Sequence, residues 1–165
     1  MLYSELQMVL ELHKKWLQDK EDGKHANLNG ANLRNADLSD ADLRNADLSD
    51  ADLRDADLSD ANLRDANLRN ANLSGAVYKN IKIQKARVIT GLYLYTVICI
   101  LSEDNTKHIA LEYHFRAVEE WQNDFWNNTY EFPDDNSVKT NLRKLALETA
   151  IKWFDIIENK IGEQK

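Results

Sequence analysis

Aspartate is the residue type best placed to do chemistry in this sequence. Over residues 36–60, ADLSDADLRNADLSDADLRDADLSD, carboxylates stand at 37, 40, 42, 47, 50, 52, 55, 57 and 60. Three kinds of chemistry use carboxylates at such density. General acid–base catalysis needs a pair whose surroundings push the two pKa values apart, and a strictly regular, polar run offers no pocket to do so. Calcium binding by D-x-x-D spacing lacks the EF-hand loop and its glycine here. The third is an anionic surface that attracts a cationic partner, and the pattern favours it. Residues 26–75 hold ten aspartates and five arginines, a net −5 of the whole chain's −7.

The elements that must position these carboxylates are set by a five-residue period. From 26 to 75 each unit opens with Ala, then Asp or Asn, then Leu. Five matches neither the 3.6-residue helix nor the two-residue strand. A fixed period of this kind means stacking: the Ala and Leu of each unit point inward, and successive coils hydrogen-bond at about 4.8 Å. Periodicity thus predicts a solenoid.

The ten A(D/N)LxX units of 26–75 resemble the pentapeptide repeat family. The resemblance implies a right-handed quadrilateral β-helix, with four units to a coil and residue i+20 above residue i. On that geometry Arg34 and Arg54 share one wall, and Arg44 and Arg64 share the opposite one. The wall between carries Asp37, Asp40, Asp57 and Asp60 with no arginine of its own, and these four are the predicted partner-binding residues. Asp47, Asp50, Asp52 and Asp55 are secondary candidates. Some members of the family resemble a DNA duplex in width and charge; the quinolone-resistance proteins bind DNA gyrase this way. The mechanism implied here is that carboxylates take the place of phosphates against a partner's Lys and Arg. Ten units make about two and a half coils, a rod roughly 12–15 Å tall at ~4.8 Å per coil.

The flanks differ from the repeat. Residues 1–25 read as a capping helix and turn, with Leu6, Val9, Leu10, His13 and Leu17 at helical spacing. Ser4 to Gln7 matches a capping box, and Gly23 stands where a C-terminal cap glycine belongs. Leu6, Leu10 and Leu17 are expected to cover one open end of the solenoid. The repeat domain is expected to span 26–80: residues 76–80, AVYKN, keep the alanine but put Tyr78 in place of leucine, and the pattern fades toward Ile81 and Ile83. Residues 81–165 read as a small α+β domain. IKIQKARVI and GLYLYTVICIL predict strands, SEDNT a turn, and KHIALEYHF one returning strand. Val118, Trp121 and Phe125 mark a helix, and Pro133 punctuates a loop. A last helix capped by Ser137 runs to about Glu158, with Val138, Leu142, Leu145, Thr149, Trp153 and Ile156 on its buried side. Tyr93, Tyr95, Tyr113, Trp121, Trp126 and Tyr130 supply core and a partner or dimer surface. The order of helix, repeats and C-terminal domain resembles bacteriophage and prophage proteins, which implies an inhibitor of a host topoisomerase, nuclease or defence system.

The totals bound the function. An acidic chain of 165 residues argues against binding nucleic acid directly through a basic surface. The single cysteine, Cys99, excludes an intrachain disulfide. Residues 1–20 carry charge and lack the apolar core of a signal peptide. No apolar run reaches the ~18 residues of a membrane span. A cytoplasmic protein is the expectation, and the Asn72 and Asn127 glycosylation patterns then go unused. His13, His25, His108 and His114 show no zinc spacing, and no phosphate loop or nucleophile elbow occurs. The expected function is a non-enzymatic protein-binding inhibitor, without cofactor, whose acidic repeat occupies a basic nucleic-acid-binding protein. The alternative is a scaffold in which the repeat is a spacer and the C-terminal domain holds the binding surface. A homodimer through that domain is a further expected contact.

Overall fold

A computed structural model describes residues 1–92, 95–111, 114–124 and 137–162. It divides into two compact units, Met1–Val88 and Ile89–Lys165. The described elements are α1 (Tyr3–Leu17), β1 (Asp57–Leu58), β2 (Val77–Tyr78), β3 (Ile81–Leu92), β4 (Tyr95–Ser102), β5 (Lys107–Leu111), β6 (His114–Ala117), α2 (Val118–Asp124) and α3 (Val138–Gly162). Among them no helix is long and apolar enough to cross a membrane.

The first unit is a solenoid with a 20-residue coil. Parallel bridges join Asn27 to Asp47, Asp47 to Asn67, Asn32 to Asp52, Asp52 to Asn72, Asp37 to Asp57 and Asp42 to Asn62; β1 and β2 continue the Asp37–Asp57 column to Val77. The pentapeptide pattern follows from where its five backbone N–H groups go, since buried ones must be paired. In the unit Ala46–Asp50, the Ala46 N–H donates to Leu43 O three residues back, closing the corner. Asp47 N–H reaches back to Ala26 O and Leu48 N–H reaches on to Asn67 O. Ser49 N–H donates to its neighbour's side chain, Asp47 Oδ1, at 3.0 Å. Asp50 N–H reaches Arg69 O at 2.8 Å. Leucine columns fill the interior: Leu28, Leu33, Leu38, Leu43, Leu48, Leu53, Leu58 and Leu68 are each 2% exposed or less.

The fifth residue of the units has a backbone reason for its identity. Gly30, Asn35, Asp40, Asn45, Asp50, Asp55, Asp60, Asp65, Asn70 and Gly75 all have φ between 56° and 78°. Side chains other than Asn, Asp and Gly enter this left-handed region at a cost of roughly 1–2 kcal/mol. Replacing Asp60 (φ 56°) by valine should therefore lower the unfolding free energy by about 1–2 kcal/mol. Asp60→Asn and Asp60→Gly should stay within a few tenths. Urea midpoints at constant m-value measure this.

α1 differs from its sequence reading at both ends. The helix begins at Tyr3, and the Leu2 N–H donates to Glu5 Oε2 at 3.0 Å, so Ser4 lies inside the helix and the Ser4–Gln7 box is not used. The left-handed residue that ends it is Asp19, φ 53°, not Gly23. Gly23 serves a close approach instead: a Cβ there would fall 2.3 Å from the Trp16 backbone nitrogen. Leu6 is buried, while Leu10 and Leu17 are half-buried. At the far end, Gly75 N–H donates to Ile83 O and Ile83 N–H to Ala76 O. The start of β3 thus pairs antiparallel with β2 and covers the last coil's open edge.

In the second unit β4 pairs antiparallel with β5, and β5 with β6. The predicted single strand over KHIALEYHF is two: His114–Ala117 folds back on β5, with Leu111 opposite His114. Val97, Cys99, Leu101, Ile109, Leu111, Val118, Trp121, Ala146, Leu147, Ala150 and Phe154 form the core, and the Trp121 indole N–H donates to Ile109 O at 2.9 Å. Ser137 Oγ accepts the Thr140 N–H at 3.2 Å, capping α3 as read from the sequence. The buried side of α3 agrees with the expectation only in part: Leu142 and Trp153 pack half-buried against the core, Leu145 and Ile156 are exposed, and Arg143, Ala146, Leu147, Ala150 and Phe154 face inward. Small Ala146 and Ala150 let the helix approach the strands, which a count of large apolar residues does not register. Tyr93, Tyr113, Phe125, Trp126, Tyr130 and Pro133 lie outside the described residues.

The acidic wall as a candidate partner-binding site

Two positions in each unit supply the carboxylates, and both have structural duties. The fifth provides the left-handed corner described above. The second accepts the N–H of the residue two places on, in every unit: Asn27, Asn32, Asp37, Asp42, Asp47, Asp52, Asp57, Asn62, Asn67 and Asn72 each do so through Oδ1, at 2.9–3.4 Å. This side-chain turn explains why the position is always Asp or Asn.

Arginine neutralises part of the charge. Arg44 grips Asp42 through Nε and Nη2, both at 2.7 Å. Arg54 holds Asp52 the same way, at 2.7 and 2.5 Å, and keeps the Asp52 carboxyl at about 2. Arg34 reaches Asp55 at 3.4 Å and Arg64 reaches Asp65 at 3.3 Å. Asp52 and Asp55, two of the secondary candidates, are therefore spoken for. The other two are engaged by asparagine one coil on: Asn67 Nδ2 donates to Asp47 and Asn70 Nδ2 to Asp50, each at 3.0 Å.

Asp37, Asp40, Asp57 and Asp60 remain. The bridge between Asp37 and Asp57 sets them in one column, with Asp40 and Asp60 following in the same two units. All four are exposed, and none is in an ion pair among the described residues. The Ser39 hydroxyl donates to Asp37 at 2.6 Å and holds its carboxyl below the ordinary carboxylate range. A groove of about 580 Å³ runs along this wall under α1. Asp37, Asp40 and Asp42 line one side, and Glu11, Lys14 and Gln7 of α1 the other. Sequence reasoning missed the α1 contribution. Helical spacing put Gln7, Glu11 and Lys14 on one stripe of α1, which was the available signal.

These features have counterparts in known proteins. The model of the pentapeptide repeat family matches in eight copies, over residues 24–60 and 56–77. Residues 24–77 belong to the pentapeptide repeat family. Among solved structures, a pentapeptide repeat protein from the Arabidopsis thaliana thylakoid lumen is 55% identical over 34% of this chain, with a TM-score of 0.33. The match spans 39% of that protein's length. No curated protein matches the chain. Pentapeptide repeats are a β-solenoid architecture, consistent with a binding or structural role rather than catalysis.

Proposed function

We propose that this pentapeptide repeat is a non-enzymatic binding module whose acidic wall occupies a basic nucleic-acid-binding protein. Asp37, Asp40, Asp57 and Asp60 would stand in for phosphates, displayed on the right-handed, four-sided rod that the family resemblance implies. The observation that supports this is the choice of Asp over Asn. Asn27, Asn32, Asn62, Asn67 and Asn72 make the same turn bond as Asp37, Asp42, Asp47, Asp52 and Asp57. The fold needs the carbonyl-like oxygen and not the charge. Yet nine of the chain's repeat aspartates crowd into residues 36–60 while asparagine fills the ends. Charge beyond what the turn requires, on a wall without arginine, is what a cationic groove selects.

The test is displacement of a fluorescent DNA duplex from basic DNA-binding proteins by the full chain. Wild type should displace it, and progressively less as salt rises from roughly 50 to 200 mM. The fourfold variant Asp37→Asn, Asp40→Asn, Asp57→Asn, Asp60→Asn keeps the turn geometry. With each exposed pair contributing about 0.5 kcal/mol, it should bind roughly thirty-fold more weakly. Equal displacement by the variant would remove this wall from the mechanism.

A further inference from the structure

α3 carries two apolar stripes, and its own unit covers one. Arg143, Leu147, Ala150 and Phe154, spaced i, i+4, i+7, i+11, face inward. At ~100° per residue, Leu145, Thr149 and Ile156 fall on the opposite side. Leu145 is 48% and Ile156 54% exposed. Leu142 and Trp153, half-buried at the rim of the core, widen the stripe. The Thr149 hydroxyl is satisfied within the helix, donating to Leu145 O at 2.7 Å, so it makes no polar demand on a partner.

We propose that this face joins two copies of the chain, α3 packing antiparallel on α3 about a two-fold axis level with Ala150. Charge selects a second copy as the occupant. Along one edge of the stripe stand Lys144, Glu148, Lys152 and Asp155, with signs + − + −. Read from the other end the signs are − + − +. In an antiparallel helix pair the same edge of both helices meets, so Lys144 lies opposite the second copy's Asp155, and Glu148 opposite its Lys152. The same register sets Leu145 opposite Ile156. In a two-fold parallel pair this edge would lie on opposite sides of the two helices and would not meet itself, so the match belongs to the antiparallel arrangement. Self-complementarity under reversal is the condition for a closed, isologous contact, and an acidic or a basic partner would each meet half of this edge with like charge.

Sedimentation equilibrium of the full chain over a dilution series tests it. The weight-average mass should climb toward twice the monomer's with concentration, and Leu145→Gln with Ile156→Gln should hold the chain monomeric. Both positions are exposed, so the fold tolerates the change. A wild type that stays monomeric throughout, or a variant that associates equally, overturns the proposal. Register is read by cross-linking: Leu145→Cys with Ile156→Cys should give a disulfide-linked dimer on mild oxidation. Leu145→Cys alone should not, because the two copies of residue 145 lie about 16 Å apart along the pair at ~1.5 Å per residue. Buried Cys99 does not compete. Efficient cross-linking by the single variant overturns the antiparallel register.

Discussion

Leu53→Ala is expected to destabilise the first unit by about 3 kcal/mol, within the range for emptying a rigid leucine site. Leu53 is fully buried and sits between Leu33 and Leu73, one coil to either side. Its backbone is held from both directions: the Leu53 N–H donates to Asn72 O at 2.9 Å, and Asp52 N–H to Ala31 O at 2.9 Å. Those ladders fix the wall positions, so the neighbouring leucines cannot collapse into the space, and the cavity term stays near its full value. Leu73, at 4% exposure, stands in the terminal coil where the structure relaxes more readily. The same truncation there should cost visibly less. Urea unfolding of the two variants gives the comparison; equal losses would mean that the coils do not confine their interior as the ladder requires.

The solenoid was legible because one constraint repeats. A unit that must place all five N–H groups leaves a signature at each position, and ten copies make it plain. The carboxylates were legible as charge and less so as structure. That only Asn, Asp and Gly occupy the fifth position from Gly30 to Gly75 was a sequence signal for left-handed backbone, and it makes Asp40 and Asp60 structural residues as well as wall residues. Pairing of Arg44 with Asp42 and of Arg54 with Asp52 follows from a two-residue separation. By contrast, the groove under α1 depends on a helix packing against residues some thirty positions away, which no local pattern encodes. α3 misled for a definite reason. Apolar residues line two sides of it, and a periodicity argument finds the stripe with the larger side chains, Leu145 and Ile156 included. The core took the side with Ala146 and Ala150.

His13 is expected to make the stability of the first unit depend on pH well above the carboxylate range. The first repeat unit has no leucine before it, so Ala26 N–H has no corner carbonyl to donate to. His13, fully buried, takes that place: its Nδ1 accepts Ala26 N–H at 3.1 Å. The proton is then on Nε2, which donates to Arg44 O at 3.0 Å. Trp16 stacks on the ring at 5.5 Å and His25 stands edge-on at 5.7 Å. Protonation would convert the Nδ1 acceptor to a donor facing Ala26 N–H. Burial disfavours the cation first of all; His25 and Arg44 add to this, while the Arg44 carbonyl and Asp42 oppose it. The folded-state pKa is thus lowered from 6.5. The unfolded chain binds the proton more readily, so stability is full above about 6.5 and is lost as pH falls through the lower folded value. Unfolding free energies of wild type should decline from pH 7.5 toward pH 5, before the carboxylates titrate. His13→Ala strands two backbone groups and should cost about 3 kcal/mol at pH 7.5, with that decline flattened; His25→Gln should retain the decline. A His13→Ala chain with an unchanged pH slope would assign the titration to another group and leave His13 as packing alone.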